Sequence, residues 1–175
     1  MHRLLFALLL ATTLLGPAKA QDMGDLGSMS VEQLQAQAPD LHPAALYVLA
    51  ARLLASGNGR EAANWMYAAQ LRYRFLLVVE GATGSSNSAV LFSALTEQVG
   101  RPVNEYIGGN VDEWLAAVDW ALEWDAANPN GTTSKTEHAK TLAELRAGLQ
   151  GFRASIEERR DTIPGEREAN GLENR

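Results

Sequence analysis

The sequence contains no cysteine among its 175 residues. That excludes disulfide staples, thiol catalysis and thiolate metal sites together. Its three histidines stand at positions 2, 42 and 138, far apart and without a carboxylate at ligand spacing, so no metal centre and no cofactor are expected. Basic residues are in the minority, with 15 Lys and Arg against 21 Asp and Glu and a formal charge of −6. A chain of that sign is poorly suited to nucleic acid or anionic lipid, and neither is expected as a partner. Beyond residue 20 the sequence lacks a second apolar run of roughly 18 residues, so no stable membrane insertion is expected once the leader is gone. It also lacks a segment alternating convincingly with a period of two, and no sheet is expected.

What is present begins with a leader. Met1-His2-Arg3 is basic, Leu4 to Leu15 is almost unbroken apolar sequence, and Gly16-Pro17 precedes the small-x-small site Ala18-Lys19-Ala20. The apolar run is too short to cross roughly 30 Å of hydrocarbon, and it fits a signal peptide cleaved after Ala20. The processed chain is therefore expected in the periplasm or outside the cell. It is more acidic than the precursor, because Arg3 and Lys19 leave and no acid does.

The remainder reads as helices between capping signals. Ser30-Val31-Glu32-Gln33 has the form of a capping box, and the device recurs at Asn58–Glu61, Asn110–Glu113 and Ser134–Glu137. Pro43 suits a first helical turn, and Gly57 and Gly100 suit helix ends. Helices are expected over 30–37, 43–56, 60–80, 87–99, 102–107, 111–127 and 135–160. On 60–80, Met66, Ala69, Tyr73 and Leu77 form one stripe, and Tyr67, Leu71, Phe75 and Val78 form another on the opposite side. Such a helix belongs at the centre of a bundle. On the last helix, Leu142, Leu145, Leu149, Phe152 and Ile156 follow a 3-4 spacing, the pattern of a narrow seam, with Gly148 and Gly151 marking a kink or a close backbone contact. The charged segment from Asp161 to Arg175 lacks aromatics and reads as disordered. The layout is a signal peptide (1–20), a flexible start (21–29), one helical domain (30–160) and a disordered tail (161–175).

The 43–56 and 60–80 pair resembles one unit of the tetratricopeptide-type repeats, in which alanines let two helices approach closely. The expected fold is thus all-α, a helical bundle with a tetratricopeptide-like hairpin and a long C-terminal helix. A wider resemblance rests on His42-Pro43, Ala45-Leu46-Tyr47, Glu61 to Tyr67, Gln70-Leu71-Arg72, Leu91 to Leu95, Gly100 to Tyr106 and Trp124-Asp125. Over residues 40–127 the chain is similar to a group of uncharacterised exported bacterial proteins. That likeness implies a shared fold and a bacterial origin, and no particular activity.

Three groups of residues stand out. Arg72 and Arg74 lie on the largely apolar central helix and need solvent or carboxylates, because an unpaired buried charge is very costly. Asp125 lies within the apolar stripe of its own helix and is their natural complement. The arginines bridge to Asp125, line a pocket for a carboxylate or phosphate with Tyr67 and Gln70 beside them, or reach solvent. Trp120 and Trp124, one turn apart, either lie beneath the seam helix or form an exposed ledge for a protein partner. The stretch from Arg101 to Asp125 holds six acids against one base, a face that is either solvated or able to receive a basic partner.

Nothing in the sequence has the form of a catalytic signature. Glu80, ahead of the polar segment Gly81 to Ser88, is the one residue placed to act as a general acid in an envelope hydrolase. The expected function is binding of another macromolecule, a protein above all, by an exported and non-enzymatic chain. An immunity-type protein that blocks a toxin is one version.

Overall fold

The computed structural model describes residues 25–175. The expected leader (1–20) and the first residues of the expected flexible start lie outside that range. Among the described residues the fold is all-helical, as expected. In chain order the helices are α1 (Val31–Gln37), α2 (Pro43–Ala55), α3 (Gly59–Val79), α4 (Asn87–Leu95), α5 (Arg101–Ile107), α6 (Val111–Ala127), α7 (Ala139–Glu158) and α8 (Ile163–Ala169).

Local chemistry sets most helix starts. Ser30 and Gln33 close the capping box, with Gln33 N donating to Ser30 Oγ at 3.2 Å and Ser30 N donating to Gln33 Oε1 at 2.7 Å. Asn110 Oδ1 accepts from Glu113 N at 3.1 Å at the head of α6. At α2 the cap is His42, whose Nδ1 accepts from Ala44 N at 3.2 Å ahead of Pro43. Burial lowers the pKa of that imidazole from its usual value against an opposing pull from Glu80, and so favours the neutral form the cap requires. Asn58 occupies its expected cap position without a side-chain capping bond; its Nδ2 donates to Ser56 Oγ at 3.3 Å, and the Glu61 side chain accepts from Gln35 Nε2 at 2.5 Å instead of reaching back to the cap.

The α2–α3 hairpin turns at Gly57, whose φ of +86° is a left-handed conformation that suits glycine. Ala44, Ala45, Ala50, Ala62, Ala63 and Ala69 are all buried there, so the two backbones lie close together. α3 is the centre of the fold. It packs against α2, α4, α5, α6 and α7, and both of its expected stripes are largely buried, Met66 and Tyr73 on one side and Tyr67, Leu71 and Phe75 on the other.

Several expectations need correction. The 87–99 helix does not stop at Gly100. Thr96–Gly100 forms a π-helical turn that leads directly into α5. Gly100 is helical and buried there, and a Cβ at that position would lie 3.6 Å from Gln70 Nε2. α7 begins at Ala139 rather than at 135, because Lys135 is drawn inward to the Asn128 carbonyl (2.8 Å) and to Asp125, which keeps the preceding segment in turns. Gly148 and Gly151 mark neither a helix break nor a close contact. α7 runs through both, and a Cβ at either would meet nothing within 4 Å. Residues 161–175 are not a free tail. Ile163 is buried, α8 folds back, and Arg175 N donates to the Gly109 carbonyl at 2.7 Å.

The expected flexible start is also partly fixed. Arg52 Nη2 donates to the carbonyls of Leu26 (2.9 Å) and Gly27 (3.1 Å), and Leu26 is buried.

Candidate functional site

Helical geometry divides the polar residues of α3 between two opposite sides. Successive residues turn by about 100°, so Arg72 and Arg74 point about 200° apart and cannot serve one site. Tyr67, Gln70, Leu71 and Arg74 follow the i, i+3, i+4, i+7 spacing and share one face. Arg72 shares the other with Trp65, seven residues earlier.

On the Arg72 side the charge is locked. Arg72 Nε donates to Asp125 Oδ1 at 3.1 Å, with both side chains 1% exposed. Its other nitrogens donate to the carbonyls of Pro39 (3.1 Å) and Pro129 (2.6 Å), and its guanidinium lies 4.2 Å from the centre of the Trp124 ring. Burial lowers the Arg72 pKa from its ordinary value while the Asp125 carboxylate opposes that shift, and the same two causes act on Lys135. Lys135 and Arg146 reach Asp125 as well, at 3.3 and 2.9 Å. Asp125 therefore ties together α3, α6, α7 and the 129–135 connection, and it is not available to a partner. Trp120 and Trp124 are half-buried and stacked with ring planes 10° apart, and Trp65 of α3 meets both edge-on at 5.0 Å.

On the Arg74 side the seam of α7 does not close. Leu142 and Ile156 are buried, but Leu145 and Leu149 are only half-covered and Phe152 is 38% exposed. Between them and α3 lies a cleft of about 490 Å³. Tyr67, Gln70, Leu71 and Arg74 form one wall, Glu144, Leu145, Gly148, Leu149 and Phe152 the other, and Thr96 and Asn104 the end. Its polar groups are fixed in orientation. Trp114 Nε1 donates to Tyr67 Oη at 2.5 Å, and Tyr67 in turn donates to Asn104 Oδ1 at 2.6 Å. Burial drives the Tyr67 pKa far above the phenol range, so its proton stays in that chain. The Tyr47 hydroxyl, pushed by burial to about 12, lies 3.3 Å from Thr96 Oγ1 behind the end wall.

Arg74 is the unanswered charge. Its side chain is exposed, its guanidinium stands 5.8 Å from the centre of the Phe92 ring, and it has no carboxylate partner among the described residues. Glu144, across the mouth, is only loosely paired with Lys140 at 3.9 Å.

Of the residues singled out in the sequence, Tyr67, Gln70 and Arg74 thus meet at one cleft, while Arg72, Trp124 and Asp125 meet at the lock and Trp120 stacks beside it. Much of the acidic face of α6 is answered from within the chain, Asp119 by Arg153 (2.6 Å), Asp112 by Arg160 (2.6 Å) and Glu113 by Arg60 (2.5 Å) and Arg175 (2.7 Å), while Glu123 is exposed. Glu80 is an exposed helix cap outside the cleft. Among the described residues no cluster of His, Asp or Glu could hold a metal ion, and no helix is long and apolar enough to cross a membrane.

Sequence reasoning missed Thr96, Asn104 and Glu144 at the cleft, and Lys135 and Arg146 at the lock. The available signal for the first group was the incomplete seam, two glycines where leucines or alanines would bind more tightly. No family model, curated protein or solved structure matches the chain significantly.

Proposed function

We propose that this chain is an exported helical binding protein that takes a segment of a partner protein into the cleft between α3 and α7. The observation that carries the reading is Arg74, a cation without a carboxylate partner among the described residues, at the wall of a cleft whose opposite wall is half-covered Leu145 and Leu149 and exposed Phe152. A mostly apolar cleft with a few convergent polar groups is the usual form of a binding site. Gln70 and the orientation of the Tyr67–Asn104 chain supply those groups. The fitting ligand is an apolar stretch carrying a carboxylate opposite Arg74. An inhibitor of the immunity type would use such a cleft to hold one segment of a toxin.

The reading is checked by capture. Immobilised processed protein is exposed to an envelope and culture-fluid extract of the source organism at low salt, in parallel with Arg74→Glu. A partner retained by the wild type is expected to fall at least about tenfold with Arg74→Glu, since reversing one member of a desolvated charge pair costs several kcal/mol. Equal retention by the two proteins would remove Arg74, and with it the cleft, from the account.

A further inference from the structure

Residues 161–175 are held against the fold with little apolar burial. Of their side chains only Ile163 is fully buried, and beyond a backbone bond from Arg175 N to the Gly109 carbonyl the segment is held mainly by its arginines. Arg167 Nη2 donates to the Glu105 carbonyl at 2.8 Å, and Arg175 Nε donates to the Tyr106 carbonyl at 3.2 Å. Both acceptors lie in the last turn of α5, where carbonyls lack a partner within the helix and attract cations. Arg175 also pairs with Glu113 at 2.7 Å and lies 3.7 Å from the centre of the Tyr106 ring. The seat is shaped for this. A Cβ on Gly108 would stand 2.9 Å from Arg167 Nη1, and one on Gly109 would stand 3.1 Å from the Glu173 carbonyl and 3.3 Å from Arg175 Cγ.

The segment nonetheless fits loosely. A cleft of about 230 Å³ remains beneath it, between Trp114, Phe152, Ile156, Ile163 and Leu172, and the buried Arg167 Nε has no hydrogen-bond partner. That cleft meets the α3–α7 cleft at Phe152. On the other side of Arg167 and Leu172, a second depression meets it at Thr96 and Asn104. The terminal segment therefore borders two depressions, each of which shares lining residues with the α3–α7 cleft. Polar contacts of this kind, made at the surface with little apolar burial, are sensitive to salt and easily opened.

On the reading of the chain as a binding protein, we propose that residues 161–175 are a displaceable strap, and that the α5–α6 corner beneath them takes an arginine-bearing segment of the partner protein in their place. The strap shows the chemistry that corner accepts: guanidiniums on the Glu105 and Tyr106 carbonyls and on Glu113, with an apolar residue between them at Leu172. A partner segment that carries the same groups competes with the strap and uncovers the depressions beside the α3–α7 cleft.

The test is a peptide titration at low salt with full-length processed proteins. The probe is a labelled peptide with the sequence of residues 161–175. It is added to the wild type, to a strap-released form with Arg167→Glu and Arg175→Glu, and to that form with Gly109→Leu as well. The strap-released form is expected to bind at least about tenfold more tightly than the wild type, whose own strap competes at an effective concentration on the order of millimolar. Adding Gly109→Leu is expected to remove the binding, because a side chain there occupies the seat. Equal affinity for the first two proteins, or no binding to the released form, overturns the strap. Hydrogen exchange on the wild type needs no variant to fold. Amides of 163–172 should exchange faster than those of α3 and faster still in added salt, and protection equal to that of α3 overturns it too. Arg74-dependent capture of a partner alongside a failed titration would remove the strap and leave the binding reading in place. A successful titration without such capture would do the reverse.

Discussion

Replacing Asp125 by alanine is expected to cost about 3–5 kcal/mol of folding stability, the range for breaking a buried ion pair by deleting one member. The reason is local. Without the carboxylate, Arg72, Lys135 and Arg146 converge on a point with no counter-charge. Lys135 and Arg146 are partly exposed and can turn to water, whereas Arg72 is held at 1% exposure by the Pro39 and Pro129 carbonyls and the Trp124 ring. Removing the cation as well, by Arg72→Met in the same chain, should recover much of the loss, since a buried pair is of little net benefit over apolar residues of similar size. Urea unfolding of the wild type, the two single variants and the double variant measures this as a coupling free energy. A single Asp125→Ala within about 1 kcal/mol of the wild type would show that Arg72 finds another partner.

Truncating α3 on two opposite sides should be about equally damaging. Met66 and Phe75 are nine residues apart, which places them about 180° from each other on the helix. Both are fully buried. Met66→Ala is expected to cost about 2–5 kcal/mol and Phe75→Ala about 3–5 kcal/mol, from lost burial and the cavity left behind. Val78→Ala, at a position 55% exposed, should stay within about 0.5 kcal/mol of the wild type. A helix lying on the surface of the bundle would show a large cost on one side alone. The chemical denaturation midpoints of the three variants decide between the two arrangements.

Much of the fold was legible because it follows from short-range rules. The Ser30 and Asn110 caps, the Gly57 turn and the double-sided stripe of α3 each depend on residues within about two helical turns, and each is found where the spacing places it. The Arg72–Asp125 pair was legible for a different reason, since a buried guanidinium and a buried carboxylate have few ways to be satisfied other than each other. The cleft was legible only by half. The 67, 70, 71, 74 spacing puts three of the candidate residues on one face, but nothing periodic in α7 says that its seam stays open. That depends on where the π turn at Thr96–Gly100 places Thr96 and Asn104, and on the angle at which α7 crosses α3. The terminal segment was misjudged because its composition is that of a disordered tail while its attachment runs through backbone carbonyls, which leave no mark on the sequence of the receiving surface. The acidic face of α6 was read as open because its arginine partners come from elsewhere in the chain, Arg60 in α3, Arg153 in α7, Arg160 just after it and Arg175.

The glycines of α7 bear on the function as well. Each costs up to about 1 kcal/mol relative to alanine in a helix. No close contact requires either of them, and Gly148 borders the cleft. Open space is what that residue provides.

Gly148 therefore offers the most direct measurement of the central claim. A Cβ at Gly148 would meet nothing within 4 Å and the residue borders the cleft, so Gly148→Trp is expected to keep the fold and its unfolding midpoint while its ring occupies cleft space. The binding isotherm of the captured partner, measured with wild-type and Gly148→Trp protein of equal helicity, is expected to lose at least about two orders of magnitude in affinity, the scale of a lost binding hot spot. Unchanged affinity in the filled protein would mean that the partner binds elsewhere and that the cleft between α3 and α7 is not the site.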